Sequence, residues 1–158
     1  MGRFMLTVDD LREFMVREGV AGEILLLAEG TPTVADAAAA VGCDEDGIGK
    51  SILFMVDGEP LLVIANGSKR VGYKALADYL GVSRRRIKMA DKETVLQYTG
   101  YPVGGVPPFG HPERLRTIVE QDVLRQDVLY AGGGALNGLV RVAVADLVTL
   151  VGNEVVAL

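Results

Sequence analysis

Two apolar segments separated by a short polar turn restrict the possible folds more than any other feature of this chain. The segments are SILFMV (residues 51–56) and LLVIANG (residues 61–67), and the residues DGEP lie between them. Two apolar runs of strand length around a turn predict a β-hairpin of well-buried strands. The fold therefore contains at least one antiparallel strand pair, and a mixed sheet suits it better than a purely parallel one.

Helical and strand-like segments alternate along the rest of the chain. A helix is predicted over residues 7–19 with Thr7 as N-cap, and another over 33–42 with Thr33 as N-cap and Gly42 at its end. The remaining predicted elements are a strand within 23–30, a helix within 71–83, a brief strand within 83–91, a helix over 91–100, one or two strands around a helical turn within 116–134, and a strand followed by a short helix within 138–152. This order predicts an α/β fold: a single compact domain over residues 1–158, with a mixed sheet, the antiparallel hairpin and surrounding helices.

The composition excludes several classes of protein. The chain has 158 residues, of which 49% are hydrophobic and 23% charged, as expected for one globular domain with its own core. No apolar run approaches the ~20 residues that span a bilayer, and the first ten residues do not have the pattern of a signal peptide. Cys43 and His111 are single residues of their types, so neither a disulfide framework nor a Cys/His zinc site is expected. We therefore expect a soluble cytoplasmic protein with no membrane partner, metal or cofactor.

Charge is distributed unevenly along the chain. The formal net charge is −5, but residues 1–49 carry 3 basic and 10 acidic side chains, whereas residues 50–92 carry 9 basic and 4 acidic ones. A basic third in an acidic protein can present a cationic surface to a polyanion. It is equally typical of a solvated helix face, and sequence alone does not decide between the two.

The segment TGYPVGGVPPFGHP (residues 99–112) is unusually constrained for a loop. Its fourteen residues include four glycines, four prolines and the single histidine of the chain. Glycine permits positive φ and close approach of a ligand to the backbone, whereas proline fixes φ and removes a donor. The pattern is consistent with a ligand held by backbone N–H groups, and also with a purely structural crossover loop.

Familiar catalytic motifs are absent from the sequence. It contains no nucleophile elbow, phosphate-binding P-loop or HExxH motif, and Cys43 with His111 is the one possible Cys–His pair. Lys50 stands at the start of an apolar run, where it either extends to solvent or directs its charge into a cleft that holds an anion or a polarised ester. A second glycine cluster, AGGG at residues 131–134, is either a turn or another close approach of backbone to ligand.

Taken together and in order, these segments resemble the YbaK family, also called the prolyl-tRNA synthetase-associated editing domain family. The similarity covers about residues 30–150, and its most specific parts are the helix before the lysine, GKSILF, and TGYPVGGVPPFG. Members of this family are aminoacyl-tRNA deacylases, which hydrolyse the ester between a wrong amino acid and the 3′ terminal adenosine of a tRNA. The resemblance implies a freestanding trans-editing enzyme that binds the acceptor end of aminoacyl-tRNA, with an aminoacyl-tRNA synthetase as a candidate second partner and no DNA partner.

The resemblance also implies roles for particular residues. It places the important lysine of the family at Lys50 and its G-x-x-x-P loop at residues 104–108, so that the Gly104 and Gly105 amides hold the ester carbonyl and its oxyanion. Pro107 stands where family loops often carry serine. Residues expected to contact substrate are Lys50, Tyr101, Val106, Pro107, Pro108, His111, Gly132 and Gly133. Residues expected to meet tRNA phosphates are Lys69, Arg70, Lys74, Arg84, Arg85, Arg86 and Lys88.

The expected substrate carries a small amino acid, since small residues dominate the presumed pocket; alanine, cysteine, serine and threonine all fit this description. Proofreading by a second hydrolytic site is chemically reasonable because binding alone discriminates only ~10–200-fold per methylene group. Two other functions remain open on the sequence. One is a non-catalytic module that binds tRNA, a nucleotide or a synthetase, and the other is a hydrolase of small esters or amides.

Overall fold

The structure, a computed structural model, describes residues 5–158, which contain five α-helices, eight β-strands and a long loop between Thr99 and Thr117. Residues 1–4, the start of the segment in which no signal peptide is predicted, lie outside the described residues. The helices are α1 (Val8–Arg17), α2 (Val34–Val41), α3 (Tyr73–Leu80), α4 (Lys92–Thr99) and α5 (Val144–Leu150). The strands are β1 (Gly22–Leu26), β2 (Gly49–Val56), β3 (Glu59–Asn66), β4 (Ile87–Met89), β5 (Thr117–Glu120), β6 (Val128–Gly132), β7 (Gly138–Ala143) and β8 (Val155–Val156).

The predicted hairpin is confirmed and forms the centre of a five-stranded mixed sheet. Strands β2 and β3 pair antiparallel along their whole length, and the sheet order is β4-β2-β3-β5-β8. Strand β4 pairs antiparallel with β2, whereas β5 is parallel to both β3 and β8. Asp57 and Gly58 join the hairpin strands with φ of 52° and 81°, the two positive values that a tight type I′ turn needs. The predicted α/β class with a mixed sheet is therefore correct.

A second, three-stranded antiparallel sheet was not predicted as a separate unit. Its order is β1-β7-β6, so a strand near the start of the chain pairs with one near the end. This sheet and the hairpin enclose one core, in which Leu62 and Ile64 of β3 lie with Leu129 and Val140 of the second sheet. The opposite face of the hairpin packs on α3 through a separate apolar cluster that includes Leu76.

Local capping defines the helix ends, as the sequence indicates. The Thr7 hydroxyl accepts a hydrogen bond from the Asp10 N–H, and the Asp10 carboxylate accepts one from the Thr7 N–H, which completes a capping box. The Thr33 hydroxyl accepts from the Asp36 N–H at the start of α2, and Gly42 ends that helix in the left-handed region with φ of 75°. Within residues 5–158, none of the helices combines the length and the apolar composition that crossing a bilayer requires.

Candidate active site

A cavity of about 350 Å³ lies beside the first half of β2. Its walls come from the start of α2, residues 48–53, the end of β4 and the two glycine-containing segments that the sequence analysis identified. Residues widely separated in the chain therefore meet here. Among the predicted site residues, those that line this cavity are Lys50, Gly104, Val106 and Gly132.

Lys50 is partly buried in the wall of the cavity. Its Nζ donates a hydrogen bond to the Gly67 carbonyl oxygen at 3.4 Å, its one acceptor among the described residues, which leaves two N–H donors for a ligand. Burial lowers the pKa of Lys50 below its ordinary value, and the positive charge of Arg70 lowers this pKa further. A partly desolvated ammonium with one hydrogen-bond acceptor in the protein is well suited to bind an anionic or strongly polarised oxygen of a ligand.

The turn after β3 fixes the acceptor of the Lys50 hydrogen bond. The Gly67 N–H donates to the Ile48 carbonyl at 2.6 Å, so this turn is attached to the residues just before Lys50. A Cβ atom at Gly67 would overlap the Val34 side chain of α2 and lie 3.1 Å from the Glu45 carbonyl oxygen. Glycine is needed here because the turn lies directly on neighbouring backbone and helix.

The two glycines of the 99–112 loop occupy different positions. The Gly105 N–H donates to the Pro102 carbonyl at 2.9 Å, which closes a four-residue turn with Gly104 in third place at φ of 96°. A positive φ at this place is characteristic of a type II turn and requires glycine. Gly104 is exposed at the cavity, whereas Gly105 is buried. The Gly105 amide is therefore already bonded, whereas the Gly104 amide has no acceptor among the described residues.

Gly132 and Gly133 serve close packing of backbone segments. A Cβ atom at Gly132 would overlap the Val106 carbonyl oxygen and lie 2.7 Å from its carbonyl carbon. The Gly133 N–H donates to the Gly138 carbonyl at 3.0 Å, within the turn between β6 and β7. Gly132 is thus both a cavity residue and the surface on which the Gly104–Val106 segment rests.

The other predicted substrate residues lie elsewhere. Tyr101 is fully buried in the core, where burial and the nearby Asp10 charge raise its pKa to about 12. Pro107 is buried and does not line the cavity. Pro108 and His111 line a separate pocket of about 260 Å³ with Phe14 and Phe109, whose rings stack at 5.7 Å. Only the first part of the constrained loop faces the cavity, because the loop turns inward after Val106 and packs against α1.

His111 supports the loop from the side away from the cavity. Its Nε2 lies 2.8 Å from the Pro107 carbonyl oxygen, so the hydrogen bond requires the proton on Nε2. Burial lowers the pKa of His111, and the bond to Pro107 opposes this only in part. His111 is therefore held in its neutral form over a wider pH range than a free histidine.

The partly buried position of His111 predicts a pH-dependent stability. In the unfolded chain the imidazole takes up a proton as pH falls below about 6.5, whereas in the folded chain it does so only at a lower pH. Protonation therefore favours the unfolded chain. The unfolding free energy has its full value above about pH 6.5 and decreases as pH falls toward the lowered folded-state pKa. We expect the unfolding free energy of the wild type to fall relative to that of His111→Gln between about pH 8 and about pH 5. Denaturant unfolding of both proteins measures this difference, and a constant difference would show that His111 is not held neutral.

Several cavity residues were missed by the sequence analysis. Thr31, Ser51 and Met89 line the cavity, and the Ser51 hydroxyl oxygen is buried with no hydrogen-bond partner among the described residues. The one available signal was the position of Ser51 next to Lys50. Cys43 does not line the cavity, and burial and the Asp44 charge raise the pKa of its thiol. Within residues 5–158 no cluster of three or more potential metal-binding side chains is present.

The basic side chains predicted to meet tRNA divide into two groups. Four are engaged within the protein: Lys69 with Asp122 at 3.5 Å, Lys74 with Asp78 at 2.9 Å, Arg86 with Asp57, and Arg84 over the ring of Tyr73 at 4.2 Å. Arg70, Arg85 and Lys88 form no salt bridge with any carboxylate of the described residues. Of these three, Arg70 is close enough to Lys50 to affect its pKa.

The family model of the aminoacyl-tRNA editing domain matches residues 28–150 of this chain, a span that contains the cavity and both glycine segments. The chain belongs to this family. Among solved structures, the chain is similar to a candidate trans-editing enzyme for prolyl tRNA synthetase, with a TM-score of 0.88, 27% identity and coverage of 95% of this chain and 94% of the other. This editing-domain fold is thus shared over nearly the whole chain.

Two curated relatives show how the domain occurs in other proteins. The chain is 35% identical over 81 residues to the proline--tRNA ligase of Maridesulfovibrio salexigens, a match to 51% of this chain but 14% of the ligase. It is 27% identical over 116 residues to the uncharacterized protein YwhH of Bacillus subtilis, with 73% of this chain and 72% of YwhH covered. The chain therefore matches a small part of the ligase and most of YwhH.

Proposed function

We propose that this protein is a trans-editing aminoacyl-tRNA deacylase, formed by a single domain over residues 1–158. The observation that carries the proposal is the convergence of Lys50 and the Gly104 turn on one cavity in a member of the editing family. The reaction is hydrolysis of the ester that joins a wrong amino acid to the 3′ terminal adenosine of tRNA. We place this activity in the cytoplasm, where tRNA is charged.

The chemistry suits the groups in the cavity. The ester carbonyl oxygen accepts a hydrogen bond from the Gly104 N–H, and Lys50 binds a ribose or phosphate oxygen of the terminal nucleotide. Water adds to the carbonyl carbon, and the Gly104 amide stabilises the negative oxygen that forms. The vicinal ribose hydroxyl group relays the proton: it accepts one from the attacking water and passes its own to the ester oxygen of the ribose. Collapse of this intermediate breaks the bond between the carbonyl carbon and that protonated ribose oxygen and releases the free amino acid.

The cavity favours a small amino acid. Apolar side chains such as Val34, Ile52 and Leu139 form much of its wall, and the volume of about 350 Å³ holds an amino acid with part of the ribose. We propose alanine, cysteine, serine or threonine as the esterified residue. Neither a metal nor a cofactor is needed, since the ester is already activated.

The unpaired cations suit the acceptor end of the tRNA. Arg70 lies near Lys50, and Arg85 and Lys88 extend the positive charge along the segment before and within β4. We propose that these three residues contribute more to phosphate binding than the paired basic residues, because they need not break a salt bridge. A prolyl-tRNA synthetase is a candidate partner, given the ligases that carry this domain.

Deacylation of tRNAs charged with alanine, cysteine, serine or threonine tests the proposal. The wild type is expected to release at least one of these amino acids well above the spontaneous rate, and to bind uncharged tRNA weakly. Folded protein that binds uncharged tRNA but releases none of the four would instead indicate a binding module. Equal activity on small aminoacyl esters without the tRNA would indicate a general esterase.

A further inference from the structure

Exposed apolar side chains cluster at the mouth of the cavity. Among residues 5–158, eight large hydrophobic side chains are exposed, and Met89, Val103 and Leu136, at 57%, 49% and 60% exposure, are three of them. Met89 and Val103 line the cavity. Clustered apolar exposure around an opening typically marks a binding surface, whereas isolated exposed residues need no explanation.

Leu136 is held at the same opening by two neighbours. Its Cδ2 atom would lie 2.9 Å from a Cβ atom added to Gly104, so the side chain covers the exposed face of that glycine. The Leu136 carbonyl accepts a hydrogen bond from the Thr31 N–H at 3.4 Å, and Thr31 also lines the cavity. Met89, Val103 and Leu136, here called the apolar rim, thus come from β4, the Gly104 turn and the β6–β7 connection.

We propose that the apolar rim binds the base of the terminal adenosine by packing against its flat face. This inference rests on the proposed function. If the ester carbonyl lies at the Gly104 N–H, the ribose lies at the mouth, and the base, one glycosidic bond away, is directed outward. The faces of a base are apolar and pack against apolar side chains, and the methionine thioether interacts favourably with aromatic rings. The cations Lys50 and Arg70 remain available for the phosphate.

The rim contains no hydrogen-bonding side chain. It therefore contributes affinity for a flat ring without reading its edge, and stacking of this kind tolerates different bases. Since all mature tRNAs share the same terminal nucleotide, a rim of this kind would position any aminoacyl end and leave amino-acid choice to the cavity.

Nuclear magnetic resonance of the methionine methyl groups tests base packing without any need for activity. Adenosine 5′-monophosphate is titrated into protein carrying ¹³C-methyl methionine, with ribose 5-phosphate as the matched ligand that lacks the base. The Met89 methyl signal is expected to move upfield with the adenine compound only, because of the ring current above the base. The core residue Met15, which is 5% exposed, provides an internal reference that stays in place. Equal Met89 shifts with both ligands, or none, would overturn the proposal.

Kinetics provide the second measurement, on whichever charged tRNA the wild type hydrolyses. Leu136→Ser is expected to raise KM about fivefold with little change in kcat, because it removes packing rather than a reacting group. The control is Leu124→Ser, the same substitution at a leucine that is 50% exposed and does not line the cavity. An unchanged KM in Leu136→Ser would overturn the inference. A wild type that releases no amino acid yet shows the Met89 shift would refute the proposed function and retain the rim.

Discussion

Replacement of Lys50 by methionine is expected to lower the rate of aminoacyl-tRNA deacylation about 100-fold, the typical cost of removing one preorganised charge or donor at a reacting centre. The methionine side chain keeps most of the volume of lysine but removes the ammonium that faces the cavity. Because burial and Arg70 already lower the Lys50 pKa, the charge opposes folding at neutral pH. The variant should therefore unfold at the same denaturant concentration as the wild type, or at a higher one.

Two further variants separate the cavity charge from charge in general. Lys92→Met removes an exposed lysine at the start of α4, outside the cavity, and should retain the wild-type rate. Lys50→Arg keeps the charge but changes its position, and should recover only part of the activity. Single-turnover release of labelled amino acid measures all three rates. A Lys50→Met variant as fast as Lys92→Met would mean that the active site lies elsewhere.

The elements that could be predicted from the sequence are those whose signals are local. Thr7, Thr33 and Asp91 each lie just before a helix. The side chain of each accepts a hydrogen bond from the backbone N–H three residues later, so the capping pattern is contained in four residues. The Asp57–Gly58 turn is equally local. A type I′ turn needs positive φ at its two central residues, and both Asp and Gly tolerate positive φ.

The second sheet could not be predicted in the same way. Pairing of Leu25 with Leu139 joins strands at opposite ends of the chain, and nothing in either segment identifies its partner. The same limitation applies to the apolar rim, because Leu136 and Gly104 are brought together only by the packing of the β6–β7 connection on the loop.

Within the candidate site, Lys50 and Gly104 were identified because residue type and family pattern agreed. The difference between Gly104 and Gly105 was not predictable, since it depends on which amide closes the turn to Pro102. The sequence places Tyr101 and His111 within the loop but does not show where their side chains lie, and in the structure neither lines the cavity. Burial of an individual loop residue depends on tertiary packing that a linear pattern does not contain.

Gly132→Ala is expected to impair both stability and activity through a single methyl group. The added Cβ would overlap the Val106 carbonyl oxygen, and would lie 2.7 Å from the Val106 carbonyl carbon and 3.1 Å from that of Gly105. All three atoms belong to backbone, so no side chain can rotate away and the segment must move from β6. Overpacking of this kind costs about 1–3 kcal/mol of unfolding free energy. Because Gly104 belongs to the displaced Gly104–Val106 segment, its amide should shift, and a displacement of about 1 Å can reduce a rate about 100-fold.

The matched control is Gly30→Ala, which also adds one methyl group, next to the cavity residue Thr31. Its nearest contact would be the Leu136 carbonyl oxygen at 3.5 Å, an ordinary van der Waals distance, so neither stability nor rate should change much. Rates are compared with denaturant unfolding curves at a temperature where both variants are fully folded, so that loss of folded protein is not counted as loss of catalysis. If folded Gly132→Ala deacylates tRNA as fast as Gly30→Ala, the position of the Gly104–Val106 segment does not control the reaction. The oxyanion would then have to be stabilised by donors outside that turn.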